Sequence, residues 1–113
     1  MREDTVIRAI LKINSNAKVS VGGNDVNDIT WLEGTTPIPK ADIEAQFTAV
    51  EFDMAMEDLR AKRNNLLAET DYLALSDNTL SSDMTTYRQS LRDITNGLTT
   101  VEDVNAVVFP TKP

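Results

Sequence analysis

The sequence contains no cysteine and no histidine. Without cysteine the chain can form neither a disulfide nor a thiolate metal site. Without histidine it lacks the most common general base and the most common ligand of transition metals. No serine or threonine therefore has a histidine base to activate it, and no glycine-rich loop of the phosphate-binding type is present. We therefore expect no catalytic activity, no cofactor and no metal site.

Positive charge is also scarce, with 11 Lys and Arg against 18 Asp and Glu and a formal net charge of −7. Binding to nucleic acid or to anionic lipid requires clustered positive charge. No apolar run approaches the roughly 20 residues of a membrane span, and the N-terminal sequence has no secretory signal. We therefore expect no nucleic-acid partner, no membrane partner and a cytoplasmic location.

Residues 4–13 carry apolar side chains at spacings near three and four, which favours a short amphipathic helix capped by Asp4 or Thr5. The β-branched residues of this segment also fit a strand, so both readings remain open. Next, residues 18–21 alternate as a half-buried strand does, and a Gly- and Asn-rich turn leads to a second strand at residues 29–31. This hairpin, with a loop of about six residues, must lean on the first helix or on a partner, and Trp31 is the expected anchor.

Residues 40–75 form a long stretch without glycine or proline. The stretch predicts one long helix from about residue 41 to residue 70, which is ~45 Å long. Two apolar stripes run along it, namely Ile43, Phe47, Val50, Met54 and Phe52, Met56, Leu59, Leu66, Leu67. We expect the first stripe to serve the N-terminal unit and the second the C-terminal unit, with a seam near Met54–Leu59. In the alternative, one stripe meets a second copy of the chain and makes a homo-oligomer.

After a loop, Ser81, Ser82 or Asp83 can cap a second helix that runs to about Thr95. One face of this helix carries Met84, Tyr87, Leu91 and Ile94, and Asn96-Gly97 is a stop signal. A further helical turn at residues 99–105, capped by Thr99 or Thr100, precedes an apolar strip at residues 107–109. The predicted fold is therefore α+β and mainly α: a short N-terminal helix plus a β-hairpin (domain 1–39), then one long central helix and a C-terminal antiparallel helical hairpin with an extended tail (domain 40–113).

Several charged residues invite closer interpretation. Asp25 and Asp28 lie in a Gly/Asn-rich loop that lacks the spacing and the closing Glu of a calcium loop, so an ordinary turn is the favoured interpretation. The acids of residues 51–58 are typical of a solvated helix face. Arg63 interrupts the second stripe, where it either pairs with an acid inside the helical hairpin or stays solvated. Four residues are predicted to stabilise this hairpin or to set its register: Arg63, Arg88, Arg92 and Asp71.

Three blocks of the C-terminal half, at residues 59–75, 84–95 and 107–113, resemble phage tail assembly chaperone-like proteins. The resemblance covers roughly residues 56–113. The matching positions are Leu59, Arg60, Arg63, Asn64, Leu66, Leu67, Thr70, Asp71, Tyr87, Arg88, Gln89, Leu91, Arg92 and Asp93. The sequence departs from the family pattern at Tyr72 and Phe109, where Trp is usual, and at Thr95, where Pro often follows.

This resemblance implies a non-enzymatic phage protein that assists tail or tail-fibre assembly as a chaperone or adaptor. Its expected partner is a tail or tail-fibre protein, bound in the host cytoplasm through apolar and aromatic surface. Aromatic residues dominate binding hot spots, which makes Trp31, Tyr72, Tyr87 and Phe109 the candidate contact residues. The alternative is a stoichiometric structural protein of the virion, such as a joint, adaptor or decoration subunit of the tail or fibre.

Overall fold

The computed structural model describes residues 2–75 and 79–113. The described chain consists of α1 (Thr5–Ile13), β1 (Val19–Val21), β2 (Ile29–Trp31), α2 (Lys40–Glu44), α3 (Phe47–Thr70), a 3₁₀ helix (Asp71–Ala74), α4 (Ser82–Asp93) and α5 (Val101–Asn105). The two strands form an antiparallel sheet. The predicted fold class, α+β and mainly α, is confirmed.

The chain divides into two compact units, Met1–Asp53 and Met54–Pro113, which we call unit 1 and unit 2. The division falls inside α3, so this helix contributes residues to both units. The two domains expected from the sequence, residues 1–39 and 40–113, stay a prediction.

The first segment of unit 1, which the sequence left open between helix and strand, is the helix α1. Its inward face is formed by Val6, Ala9 and Ile10, all of which are fully buried. The cap differs from the expected one: Asp4 adopts a positive φ of 64° and makes no side-chain cap, and the Thr5 hydroxyl donates to the carbonyl of Arg2. The side chain of Asn24 in the hairpin loop takes this place, since its Oδ1 accepts the amide of Val6.

The hairpin of unit 1 pairs Val19 with Trp31, Ser20 with Thr30 and Val21 with Ile29. Side chains alternate along a strand, so the two valines share one face with Ile29 and Trp31. This face is half-buried, whereas Ser20 and Thr30 are exposed. Helix α1 packs against β1, which provides the support that an isolated hairpin needs.

The central helix is shorter than expected. Residues 40–44 form the separate helix α2, and α3 begins at Phe47 and runs for 24 residues, or ~36 Å. Between them the Gln46 amide bonds the Ile43 carbonyl at 3.0 Å, a contact one residue shorter than the α-helical one. Ala45 and Gln46 are good helix formers, so the break has no local cause. We attribute it to the packing of α2, with its fully buried Ile43, against α1.

Unit 2 has a core centred on α4, where Met84, Tyr87 and Leu91 are buried. Five partly buried side chains pack against this cluster: Leu66, Leu67, Leu73, Leu80 and Phe109. The predicted caps of this unit are present. The Ser81 hydroxyl accepts the amide of Met84 at the start of α4, and Thr100 and Asp103 form a capping box at the start of α5.

Candidate functional site

A buried arginine closes the C-terminal end of α3. Arg88 Nη1 donates to the carbonyl oxygen of Leu67 at 3.0 Å and to Thr70 Oγ1 at 2.6 Å. Arg88 Nη2 donates to Asp71 Oδ1 at 2.8 Å. The carbonyl of Leu67 is one of the last four of α3, which have no partner within the helix. The cation therefore stands at the negative end of the helix dipole and satisfies one of these carbonyls.

The burial of this group is uneven. Arg88 is 5% exposed and Thr70 is 0% exposed, whereas the side chain of Asp71 is 63% exposed. The Nε atom of Arg88 is buried and has no hydrogen-bond partner among the described residues. Burying a charge is unfavourable unless its donors are hydrogen-bonded. The three bonds that Arg88 makes offset this cost, and they hold α4 to the end of α3. They also fix the start of the 3₁₀ helix at Asp71.

Two large apolar side chains project into solvent directly after this anchor. Tyr72 is 61% exposed and Leu75 is 62% exposed. Tyr72 lies within the 3₁₀ helix, and Leu75 directly follows its last residue. Leu73 between them packs inward on the α4 cluster. We call the exposed pair, Tyr72 and Leu75, the turn surface.

The C-terminal strip, residues 107–109, folds back onto unit 2. Phe109 packs against the α4 cluster, and the Nζ atom of Lys62 lies 4.3 Å from the centre of its ring. This distance is within the range of a cation–π interaction. Its neighbour Val108 is 87% exposed. One side of the strip is thus held by unit 2, and Val108 faces solvent.

The other predicted contact residues lie in different settings. Trp31 is half-buried on the apolar face of the hairpin in unit 1. Tyr87 is only 4% exposed in the core of unit 2, so its ring is not offered to a partner in this conformation. The assignment of these two residues to partner binding stays a prediction.

Among the predicted register residues, the structure brings Arg88 and Asp71 together. Arg63 is half-buried and donates from Nε to Asn64 Oδ1 at 3.2 Å; in residues 2–75 and 79–113 no carboxylate pairs with it. Arg92 is exposed on α4. The arginine that the helix pair buries is therefore Arg88, and the register role of all four residues stays a prediction.

Two of the acidic positions singled out in the sequence lie in a turn and in an exposed ion pair, respectively. Asp25 Oδ1 accepts the amide of Asn27 at 2.8 Å, and Asp53 pairs with Lys12 at 2.9 Å on the surface. No group of three or more metal-ligating side chains is found in the part of the chain that the structure describes.

Hydrogen bonds from the amide and hydroxyl of Thr99, with those from Thr100, hold the pKa of Asp103 below its ordinary value.

Sequence reasoning missed several residues of this region. Thr70 matched the family pattern, but nothing in its spacing showed that it would accept from a buried arginine. Neither Leu75 nor Lys62 was assigned a role from the sequence. Their roles depend on the path of the chain after α3, which local sequence does not encode. Arg88 and Asp71 had both been named as residues that stabilise the helical hairpin or set its register.

Comparison with known proteins bears on unit 2. A family model described as phage tail assembly chaperone protein matches residues 56–113, which is just over half of the 113-residue chain. The matched segment contains the arginine anchor, the turn surface and the C-terminal strip. No curated protein and no solved structure gives a significant match.

Proposed function

Because the chain belongs to the phage tail assembly chaperone family, we propose that it is a non-enzymatic chaperone or adaptor that binds a tail or tail-fibre protein through apolar surface. A tail assembly protein acts in the host cell while tails are built. The protein covers an apolar part of its client until that part is buried in the growing tail or fibre. The turn surface, together with the exposed side of the C-terminal strip, is the proposed contact region.

The observation that carries this proposal is the exposure of the turn surface next to the Arg88 anchor. Tyr72 lies in, and Leu75 directly follows, a 3₁₀ helix whose first residue, Asp71, is bonded to a buried arginine. A backbone that is anchored before binding loses less conformational entropy on binding, which favours affinity. Tyrosine is enriched among binding hot spots. The surface is thus prepared for a partner.

Phage complementation tests the proposal. Cells supply either the wild-type chain or a Tyr72→Ser, Leu75→Ser double variant to a phage that lacks the gene. We expect the double variant to lower the yield of infectious particles and to leave tails or fibres incomplete in electron micrographs. Affinity capture from the same cells should lose the tail or fibre protein, identified by mass spectrometry, that the wild-type chain retains.

Ile13→Ser is the matched control, since Ile13 is 42% exposed but lies on α1 in unit 1. It removes a comparable apolar side chain and should leave phage yield unchanged. Wild-type yield with the double variant would contradict the proposed surface. An equal loss with Ile13→Ser would show that apolar surface matters in general and that the turn surface has no special role.

The virion-component alternative is separated by mass spectrometry of purified particles. A chaperone should be absent from the particles or present only in traces, whereas a structural subunit should appear at a fixed copy number.

A homo-oligomer through α3 is a further proposal from the sequence. The inner residues of both stripes, such as Val50, Met54 and Leu59, are already buried within the single chain. Light scattering that gives the monomer mass at micromolar concentration would exclude a stable oligomer.

A further inference from the structure

The strand β1 has an unpaired edge. Hydrogen bonds join Leu32 to Lys18 and Gly22 to Asp28 at the two ends of the hairpin. In an antiparallel pair the bonded residues alternate with non-bonded ones, so Val19 and Val21 direct their N–H and C=O groups away from β2. Among the described residues no further hydrogen bond reaches these groups.

A groove of about 310 Å³ lies at the same two valines. Its lining is formed by Asp4, Ile7, Val19, Val21 and Asn24. Ile7 and the valines give it an apolar wall, and Asp4 contributes the one carboxylate among the five. Its volume is at the lower end of the range for ligand pockets, roughly 300–1,000 Å³, which suits one or two side chains.

The amide of Asn24 is already engaged in this groove. Its Oδ1 accepts the backbone amide of Val6 at 2.9 Å, and its Nδ2 donates to the carbonyl of Arg2 at 2.6 Å. Asn24 therefore holds the rim of the groove in place. Recognition is left to the apolar wall, to the charge of Asp4 and to the backbone edge of β1.

We propose that β1 accepts an extended segment of the client as a third strand. The backbone of the segment bonds Val19 and Val21, one of its apolar side chains enters the groove, and a basic residue faces Asp4. An extended chain is the structure that presents alternating N–H and C=O groups at the spacing of a strand edge. The inference rests on the proposed function, because it identifies the segment as part of a tail or fibre protein.

Charge complementarity selects a foreign segment over a second copy of the chain. Two copies paired edge to edge through β1 would each bring Asp4 to the contact, in a protein of net charge −7. Like charges brought together in this way disfavour association. A client segment with lysine or arginine next to an apolar residue removes this repulsion.

Hydrogen exchange with a defined probe tests the proposal. The probe is a short blocked peptide in which valine alternates with threonine and a lysine stands at each end. In the free protein the amides of Val19 and Val21 should exchange rapidly, while the amide of Ser20 is protected by β2. The peptide should protect both valine amides. Protection of these amides in the free protein, or no added protection with the peptide, would overturn the proposal.

N-methylation of the peptide supplies the matched probe. Methyl groups on the amides that face β1 should abolish protection, and methyl groups on the opposite edge should not. Equal binding of the two peptides would show that the backbone edge is not used. If analytical ultracentrifugation instead shows that the free protein dimerises through these amides, the occupant is a second copy and the proposal fails.

Variants of Val21 give a second measurement. Val21→Pro removes the N–H that faces the open edge, and an edge strand tolerates proline at such a position. Val21→Thr has a similar shape and keeps the N–H. We expect Val21→Pro to weaken peptide binding about tenfold, as the loss of a hydrogen bond of ~1.4 kcal/mol does. Val21→Thr should weaken it less; an equal loss would point to the side chain and contradict the edge.

Phage complementation distinguishes this inference from the proposed function. If Val21→Pro supports normal tail assembly while the Tyr72→Ser, Leu75→Ser double variant does not, the edge inference fails and the proposed function stands. If Val21→Pro alone blocks assembly, the client is bound in unit 1. The fold of Val21→Pro is checked by the fluorescence of Trp31 and by the protection of the Ser20 amide.

Discussion

Both units complete a helix end with a side chain from a distant part of the chain, but they use different chemistry. In unit 1 the neutral amide of Asn24 accepts the Val6 N–H at the start of α1. In unit 2 the cation of Arg88 donates to Leu67 and Thr70 at the end of α3. Unit 1 thus caps its helix with a neutral side chain from a surface loop, and unit 2 caps its helix with a buried cation.

The two solutions differ in what their loss would cost. A neutral cap at a partly exposed site can be replaced by water at modest expense. Removal of the buried cation takes a donor from the Thr70 hydroxyl and the Leu67 carbonyl, which then keep only the bond between them at 3.3 Å. Unit 2 should therefore depend more strongly on its capping residue, and unit 2 is also the half that matches the family.

Replacement of Arg88 should give the largest effect. Arg88→Met keeps much of the packing but leaves the fully buried Thr70 hydroxyl and the Leu67 carbonyl without this donor. We expect the free energy of unfolding to fall by about 3 kcal/mol. The ion pair with Asp71 adds little to this figure because that carboxylate is largely exposed. Urea denaturation, followed by circular dichroism, measures the change.

Arg92→Met is the matched control, since Arg92 is exposed on the same helix. It removes the same charge and should change stability by less than about 0.5 kcal/mol. Equal losses from the two variants would mean that net charge, and not the buried bonds, is responsible. Such a result would remove the contrast between the two units.

The cap of unit 1 should give a smaller effect. Asn24→Ala removes the acceptor for the Val6 amide and places alanine at a φ of 54°, where a Cβ is disfavoured. We expect a loss of about 1–2 kcal/mol by urea denaturation. Asn24→Gly removes the same side chain but accepts this φ, so its loss reports the side-chain bonds alone. If Asn24→Gly leaves stability unchanged, the cap is not the cause.

These two caps also show what local sequence can and cannot predict. Ser81 and Thr100 were among the cap candidates because a hydroxyl caps the helix that immediately follows it, and the structure shows that these two are the caps. Asn24 was recognised only as a turn residue, since the helix that it caps lies 18 positions earlier. The break at Ala45–Gln46 was missed for the same reason: it arises from packing on α1 and not from the residues themselves.

The residues of the candidate site also fall into those that the sequence could predict and those that it could not. Arg88 and Asp71 were both predicted to stabilise the helical hairpin or to set its register, and the helix that carries Arg88 was recognised from its periodicity. The exposure of Leu75 and the burial of Tyr87 depend on how the chain turns after α3. An aromatic residue on an apolar helix face is buried first in the core of its own unit. Only the aromatic residues outside that core can face a partner.

The contact between Lys62 and Phe109 gives a weaker test, because it lies on the surface of unit 2. Lys62→Gln should lower the free energy of unfolding by about 0.5–1 kcal/mol through loss of the cation–π contact at 4.3 Å. Lys62→Arg keeps the cation and should stay close to the wild type. A loss with Lys62→Arg equal to that with Lys62→Gln would show that the stem of the lysine, and not its charge, supports Phe109.

Acid should loosen the Asp103 cap of α5 in unit 2 and leave the Asn24 cap of α1 in unit 1 unchanged. The amides and hydroxyls of Thr99 and Thr100 hold the pKa of Asp103 below its ordinary value of 3.8. A carboxyl group whose pKa is lowered by folding stabilises the folded state above its ordinary pKa, and this stabilisation is lost as the pH falls through the lowered value. The start of α5 should therefore loosen below about pH 4, which NMR titration of the Thr99, Thr100 and Asp103 amides detects. Asn24 is neutral, so the Val6 amide should not follow this titration, and a shared titration of both caps would contradict the contrast.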